Sequence, residues 1–588
     1  MTSLSDSELG RPILPLSRWR LKERVLEVED RFQRELGLTR PIAALLAQRG
    51  IHSLEAADKF LNPSLSDLHD PSLLPDFEPA IHAILGARER NELVFIHGDY
   101  DVDGVTSAAL LTRLLQKVGV RVITKVPNRF KDGYGVSLDA VKEAHQLGAK
   151  LFLTCDCGVG AVEETELAHE FGMKVVVTDH HTVPPQLPRA EAIVNPHRPD
   201  STYPYQMLSG AGIAFKLGEG LCRALDIPVD SFRRAYLDLA VLGTIADVMP
   251  LTGENRIIAR FGLERLLESK KPGINALMRE SGILEKNPKK LKNYHVGFVL
   301  GPRLNAAGRI DDASLAFDLL MSQDANESYR LARQVEVLNE KRKKEQEDLI
   351  LEAIERVRET GADQHSVILV SGEGWHEGVL GIVAGKLREH FNRPAFVLSV
   401  NPETGWAKGS GRSVPGVNLA DAIRSNEGLL EGGGHAAAAG ISLEASRMDE
   451  AQQALHEFAS QFLTPDDFVK VTEPDLEVEP DEVTFPMLEQ MERMEPFGVA
   501  NPEPTFVCRN VQVDQIIATK NPAHPQLMIR SEGLPAMRAP AFNMGEALAG
   551  RASGFAADIL FRPGIDEYNG NVRVKWEIKD LSPIEENG

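Results

Sequence analysis

Cysteine is scarce. Four residues in 588 (Cys155, Cys157, Cys222 and Cys508) do not make a disulfide framework for so long a chain, and a reducing cytoplasm is the expected compartment. The "CDC" at 155–157 is not a Cys-x-x-Cys pair, and both cysteines read as small packing residues at a strand end. No apolar run reaches the ~18 residues of a membrane span. The stretch "MTSLSDSELGRPILPLSRWR" has no apolar core of the signal-peptide kind. Positive charge is in deficit: 65 basic against 86 acidic residues leave a net charge of −21, which on its own argues against nucleic acid. That exclusion is weak, because binding follows the local field and an acidic body can carry a basic groove. The clusters "KNPKKLK" (286–292) and "NEKRKKEQ" (339–346) read as readily as solvated lysines as they do as phosphate contacts. Internal repeats and low-complexity tracts are also missing.

What is present is a globular composition, 43% hydrophobic and 26% charged, in a chain long enough for three or four domains. Residues 1–75 read as a helical, irregular segment. From about 80 to 250, inside a first large domain of 76–325, the strand-like runs "LVFIHG", "VRVITKV", "KLFLTCD", "KVVVTDHH" and "AEAIVNP" alternate with helical ones, which predicts a parallel sheet with crossover helices. Residues 326–360 are charged and free of Gly and Pro, and predict one connecting helix. A smaller α/β unit follows over 361–463. The short strand-like runs of 464–588 predict a β-barrel. The fold class is therefore α/β: a parallel-sheet domain, a long helix, a second α/β domain and a barrel.

The chemistry collects where strands end, which is where open α/β sheets gather ligands. "HGDYDVDG" places His97, Asp99, Asp101 and Asp103 after the first strand. "KLFLTC" ends at Asp156, and "KVVVT" ends at Asp179, His180 and His181. The helical run "YLDLAVLGTIADVMP" delivers Asp247. Any one of these acids reads evenly as a helix cap, and Asp103 before "GVTSAAL" is the clearest case. The set reads otherwise, because carboxylates converging on one crevice repel each other without a cation. Asp with a few His and no usable Cys suits Mn2+ or Mg2+ better than a structural zinc. The number of ligands suits two ions sharing a carboxylate, the arrangement that serves phosphoryl transfer.

"HGDYDVDG", "TCDCG", "VVVTDHH" and "ADVMP" resemble the successive motifs of the DHH phosphoesterase superfamily. "GPRLNAAGRI", "GEGWHEGVLGIVAGKL", "GSGRS", "GGGHAAAAG" and "EPFGVANPEPTF" are similar to those of the RecJ single-stranded-DNA exonucleases. The resemblance runs from about residue 75 to the C-terminus. It implies metal ligands at His97, Asp101, Asp103, Asp156, His180 and Asp247, with Asp156 bridging two ions. It implies that His181 faces substrate phosphate, so that His181 and Asp156 carry the catalysis. Asp99 and Asp179 are placed behind the ligands, where Asp179 orients a neighbouring histidine. It further implies a DHH catalytic domain, a DHHA1 substrate-binding domain and an OB-fold for single strands.

The implied activity is metal-dependent 5′-to-3′ hydrolysis of single-stranded DNA to mononucleotides, in repair and recombination, by a monomer. A single-strand-binding protein and a helicase are the implied partners, for which no motif locates a site. Nucleic-acid contacts are expected at Arg303, Asn305 and Arg309, at Trp375 and His376, at Ser410 and Arg412, and at Gly433, Gly434 and His435. Arginine offers paired donors to phosphate, and glycine lets backbone N–H groups approach an anion. The alternatives are an inter-domain ion pair for each arginine, a core position for Trp375 and a tight turn for the glycines. Arg129 and Tyr134 are further candidates in a loop near the metal edge. The competing functions are a shorter DHH phosphatase or oligonucleotide hydrolase, which lacks a β tail, and a non-catalytic scaffold, which would have lost ligands.

Overall fold

The computed structural model describes residues 14–584 except 129–132, 134, 311 and 569–570, so Arg129 and Tyr134 lie outside the described residues. The first sheet contains β1 (Leu93–Gly98), β2 (Arg121–Lys125), β3 (Ala149–Cys155), β4 (Lys174–Thr178) and β5 (Ala192–Val194). Its order is β2-β1-β3-β4-β5 and every neighbouring pair is parallel. All six residues of β1 are buried, as expected of a strand covered on both faces. The crossovers are α1 (Val102–Lys117), α2 (Leu138–Gln146) and α3 (Val162–Glu170). An all-helical layer continues with α4 (Gly210–Ala224), α5 (Val229–Ala246), α6 (Gly253–Leu267) and α7 (Gly301–Ile310).

The connecting element is α8 (Ala325–Thr360), 36 residues long, roughly 54 Å at 1.5 Å per residue. The Asp324 carboxylate caps its start by accepting from Glu327 N, and Gly361 ends it in the left-handed region at φ 69°. The second sheet has β6 (Ile368–Glu373), β7 (Ala395–Asn401), β8 (Trp406–Arg412), β9 (Glu431–Gly434) and β10 (Ala438–Glu444), ordered β9-β10-β8-β7-β6. Helix α9 (Glu377–Phe391) makes the β6–β7 crossover.

The third sheet runs β13-β12-β11-β14-β15, from β11 (Phe506–Ile517), β12 (Gln526–Ser531), β13 (Leu534–Pro540), β14 (Phe555–Tyr568) and β15 (Asn571–Pro583). A bridge between Ala541 and Ile578 draws its two edges together into a barrel. Its core is not its own. Phe32, Ile42, Leu45 and Leu46, from N-terminal helices spanning Leu26–Leu36 and Arg40–Gln48, are buried in one cluster with Phe506, Phe561 and Trp576. The buried Asp580 carboxylate accepts from the backbone N–H of Leu16 and Ser17 and from Trp19 Nε1. Arg256 on α6 ties this assembly to the first domain. Its guanidinium donates to the carbonyls of Phe60, Arg493 and Met494 at 2.8–3.1 Å and lies 3.9 Å from the Phe60 ring centre. No helix among the described residues is long and apolar enough to cross a membrane.

Candidate metal centre and nucleic-acid interface

The sheet aligns three carboxylates by extending its hydrogen bonding one residue past each strand. Asp99 N donates to Cys155 O, Asp156 N to Thr178 O, and Asp179 N to Val194 O. Parallel strands lie about 4.8 Å apart, so Asp99, Asp156 and Asp179 stand in a row along the carboxyl edge. Asp156 has φ 62°, a left-handed conformation that a non-glycine residue holds only under strain from its surroundings. Asp101 is the N-cap of α1, accepting from Gly104 N at 3.0 Å. Gly104 is required there, because a Cβ would lie 2.5 Å from Asp99 N.

Asp103 does not cap its own helix. Its two oxygens accept from Gly210 N (2.6 Å) and Ala211 N (2.8 Å) at the start of α4. That helix N-terminus stabilises the carboxylate and locks its orientation. The close approach depends on glycine: a Cβ at Gly210 would lie 2.5 Å from Asp156 Oδ1, and one at Gly243 would strike Asp103 and Thr106. Asn195, fully buried, donates to His181 O at 3.0 Å and sets the backbone of the histidine pair. The sequence reading missed Gly210, Ala211, Gly243 and Asn195. A signal was present in "LSGAGIAF", where a serine cap precedes two glycines at a helix start.

Three overlapping groups of ligand atoms result. Asp99, Asp101 and Asp156 form one, Asp103, His180 and Asp247 another, and a third set of Asp156, His180 and His181 spans the junction, each within 4.8 Å. Asp156 links them, since its Oδ1 lies 3.0 Å from His180 Nε2. That spacing matches neighbouring ligands on an octahedral ion, about 3 Å apart for bonds of about 2.1 Å. The same Oδ1 is buried and accepts no hydrogen bond. Asp99, placed behind the ligands by the sequence reading, stands among them, and its buried Oδ1 also lacks a hydrogen bond. His97 ends β1 outside these groups, with Nε2 3.1 Å from Gly135 O.

Burial, and then the neighbouring carboxylates, push Asp99 and Asp247 up to about 8 and Asp103 up to about 7. The same causes raise Asp156 well above the carboxylate range. Such a cluster cannot be fully ionised at neutral pH unless a cation compensates it. Burial and the adjacent His181 charge lower His180 to about 4, leaving the neutral imidazole that coordinates metals. Burial opposes the charge on His181, but the Asp179 carboxylate, 2.7 Å from Nδ1, overcomes it and raises the group to about 9. Burial likewise opposes the charge on Asp179, and His181 holds it below its ordinary value. The donor set fits hard divalent cations, with an imidazolium beside them.

The second domain meets this edge through backbone. Helix α7 lies against the first motif, where a Cβ at Gly308 would come 2.9 Å from Tyr100 O, and Gly378 of α9 packs directly on Arg309 O. Arg309 Nη1 donates to Gly378 O at 3.1 Å, and His376 caps α9 by accepting from Gly378 N. Arg412 and Ser410, on β8, flank Gly381 of the same helix. β10 pairs them with Ala438 and Gly440. The exposed hairpin carrying Gly433, Gly434 and His435 joins that edge, with His435 N donating to Ala438 O. Asn305, half-buried, lies on α7.

Two expected contacts are corrected. Trp375 is 7% exposed, with Gly372 under its indole and the Arg356 guanidinium 5.2 Å from its ring, so no base can stack on it. Arg303 spends its donors on Glu336 of α8 (2.5 and 3.1 Å) and Val299 O (2.8 Å), which makes it an inter-element ion pair.

Comparison with known proteins gives three family matches: the DHH family N-terminal domain over residues 93–244, the DHHA1 domain over 364–461 and the RecJ OB domain over 474–580. The "Single-stranded-DNA-specific exonuclease RecJ" of Bacillus subtilis (strain 168) is 38% identical over 572 residues, 97% of this chain and 71% of that protein. Crystal structures of RecJ from Thermus thermophilus, in complex with Mn2+ and with Mg2+, superpose with TM-scores of 0.82 and 0.76. Both are 27% identical over 97% of this chain, covering 80% and 79% of theirs.

Proposed function

The chain belongs to the RecJ family of single-stranded-DNA-specific exonucleases, and on that premise we propose how its residues carry the reaction. It is a divalent-metal-dependent exonuclease acting on single-stranded DNA. In our reading it removes mononucleotides from the 5′ end. The observation that carries metal-dependent hydrolysis is the set of Asp and His groups joined at Asp156 on the carboxyl edge of the sheet, and the 5′ polarity rests on the family resemblance.

We assign His97, Asp101, Asp103, Asp156, His180 and Asp247 as ligands; all but His97 stand in the Asp/His groups, with Asp156 shared and Asp99 close enough to join them. When bound, Mn2+ or Mg2+ supplies Lewis acidity at the phosphodiester, on both the attacking and the leaving oxygen. Asp103, clamped by the α4 N-terminus, holds its oxygens still as charge develops. His181, kept protonated by Asp179, turns its Nε2 edge toward the scissile phosphate and stabilises it electrostatically. Arg309, His376, Ser410 and Arg412 lie around the first turns of α9, where helix dipole and cations together suit a terminal phosphate, and His435 stands on the hairpin next to that sheet. In this reading residues 76–325 are catalytic, 326–360 connect, 361–463 bind substrate, and 464–588 with 1–75 hold the trailing strand. The enzyme acts as a cytoplasmic monomer in repair and recombination, with a single-strand-binding protein and a helicase as partners. Its four cysteines, all free and buried, suit a reducing compartment.

The test is hydrolysis of 5′-labelled single strands with Mn2+ and with chelator. Asp156→Ala is expected to reduce cleavage by at least about 10³-fold and leave strand binding within a few-fold. Near-normal turnover of that variant in saturating Mn2+ overturns the shared-ligand assignment.

A further inference from the structure

A second charged cleft lies at the opposite end of the helices that build the metal centre. It encloses about 1240 Å³ between the end of α1, the start of α5 and the segment that follows α6. Arg113, Lys117, Arg234, Arg265, Lys270 and Lys271 line it, against two acids, Asp238 and Glu268. This inverts the balance of a chain whose net charge is −21.

Part of that charge is committed. Lys271 pairs with Asp238 at 2.7 Å and Arg265 with Glu268 at 2.8 Å. Arg113 donates to Leu320 O at 2.6 Å. Lys117, Lys270 and Arg234 have no ion-pair partner among the described residues, Arg234 Nη2 donating only to Ser231 Oγ at 3.3 Å, and all three are exposed. Like charges held around one concavity repel each other unless an anion joins them. The floor beneath them is ordered: buried Asp238 accepts from Ser269 Oγ at 2.7 Å as well as from Lys271, and Asn275 Nδ2 donates to Ser269 O at 2.8 Å. The floor is already ordered, so that part of the site adds little ordering cost when a compact, highly charged ligand binds.

The cleft is separate from the catalytic edge. Lys117 lies fourteen positions along α1 from Asp103, and Arg234 thirteen positions before Asp247 at the end of α5, roughly 20 Å in each case at 1.5 Å per residue. We propose that this cleft binds a compact polyphosphorylated anion, with Lys117, Arg234 and Lys270 as its cationic contacts. Three cations without an acidic partner among the described residues, on three different segments, match several phosphate groups better than one. The shared chemistry is a short phosphate chain, either free or carried by a nucleoside.

The test uses the full chain, stripped of metal by chelation and gel filtration so that the catalytic edge holds no cation to recruit phosphate. Tripolyphosphate, ADP and inorganic phosphate are titrated separately by calorimetry at low salt. Tripolyphosphate or ADP is expected to bind more tightly than inorganic phosphate, and whichever binds more tightly identifies the source. Lys117→Glu with Lys270→Glu is expected to weaken that binding more than about tenfold. The milder pair Lys117→Gln and Lys270→Gln shifts it the same way by less, which separates lost charge from lost fold. An unaltered thermal transition and unaltered exonuclease turnover with Mn2+ certify either variant. The proposal is overturned if the wild type binds neither polyphosphate. It is equally overturned if the charge reversal leaves the affinity unchanged, or if Arg412→Ala abolishes binding that the cleft variants retain.

Discussion

A single hydrogen bond sets the charge of the histidine assigned to the substrate phosphate. Asp179 raises His181 to about 9, so the imidazolium persists through neutral pH and is lost only as pH rises through about 9. Asp179→Asn removes the largest of the effects that oppose burial, ahead of the charges on Asp99 and Asp247, and His181 then loses its proton at a lower pH. Activity of this variant is expected to fall as pH rises from about 6 to 8, where the wild type is level, with a loss of about 10–100-fold at pH 8. A pH–rate profile checks it, and a profile parallel to the wild type's refutes the electrostatic role. The carboxylates give the opposite kind of test, on stability. Asp99, Asp103 and Asp247 sit at about 7–8 when folded, against about 3.9 when unfolded. The folded state therefore holds more protons between these values, and stability is lost as pH rises from about 4 to about 8. Metal-free protein is expected to melt at a lower temperature at pH 8 than at pH 5.5. Excess Mg2+ is expected to raise melting at pH 8 more than at pH 5.5.

Helices deliver half the centre, and small residues set how closely they approach. At the height of the ligands α5 packs on α1 because Gly243 lacks a Cβ, and α4 approaches Asp156 at the end of β3 because Gly210 lacks one. Gly243→Ala forces Asp103 or Thr106 to move. It is expected to lower Mn2+ affinity by about 10-fold or more, measured by calorimetry. Gly385, in the interior of α9, is the control, since a Cβ there meets nothing within 4 Å. Gly385→Ala is expected to stabilise the chain by about 0.5–1 kcal/mol through helix propensity alone. Equal Mn2+ affinity in the two variants would show that the close approach at Gly243 is dispensable.

At the scale of the molecule, the ends of the chain are one body. The helices of residues 26–48 lie in the barrel core, so deleting residues from about 464 onward exposes Phe32, Ile42 and Leu45 as well as removing a strand-binding surface. Loss of activity in that truncation therefore does not report on DNA capture alone. Arg256 is the better probe of how the barrel is held. It is 2% exposed and bonded to three carbonyls, with no ion-pair partner among the described residues, and burial lowers it to about 9. Arg256→Ala leaves those acceptors unsatisfied and is expected to cost about 3 kcal/mol. Calorimetry is expected to resolve the barrel's unfolding from that of the first domain, whereas a single unchanged transition excludes the linking role.

The sequence by itself determined the elements and the chemistry placed at their ends. Five apolar runs became the five parallel strands, and the helix expected over 326–360 is α8. The acids after those runs were legible because each lies within a few residues of its own strand, where period and punctuation are local. The tertiary structure decided how they are held and which neighbours they meet. Asp103 is gripped by Gly210, 107 residues away. Leu16 is bound by Asp580 across 564 residues. Trp375 and Arg303 were open between DNA and protein until Gly372, Arg356 and Glu336 were seen to occupy them. Contacts of that range leave no periodic trace in the chain, because they depend on which surfaces meet after the elements have formed.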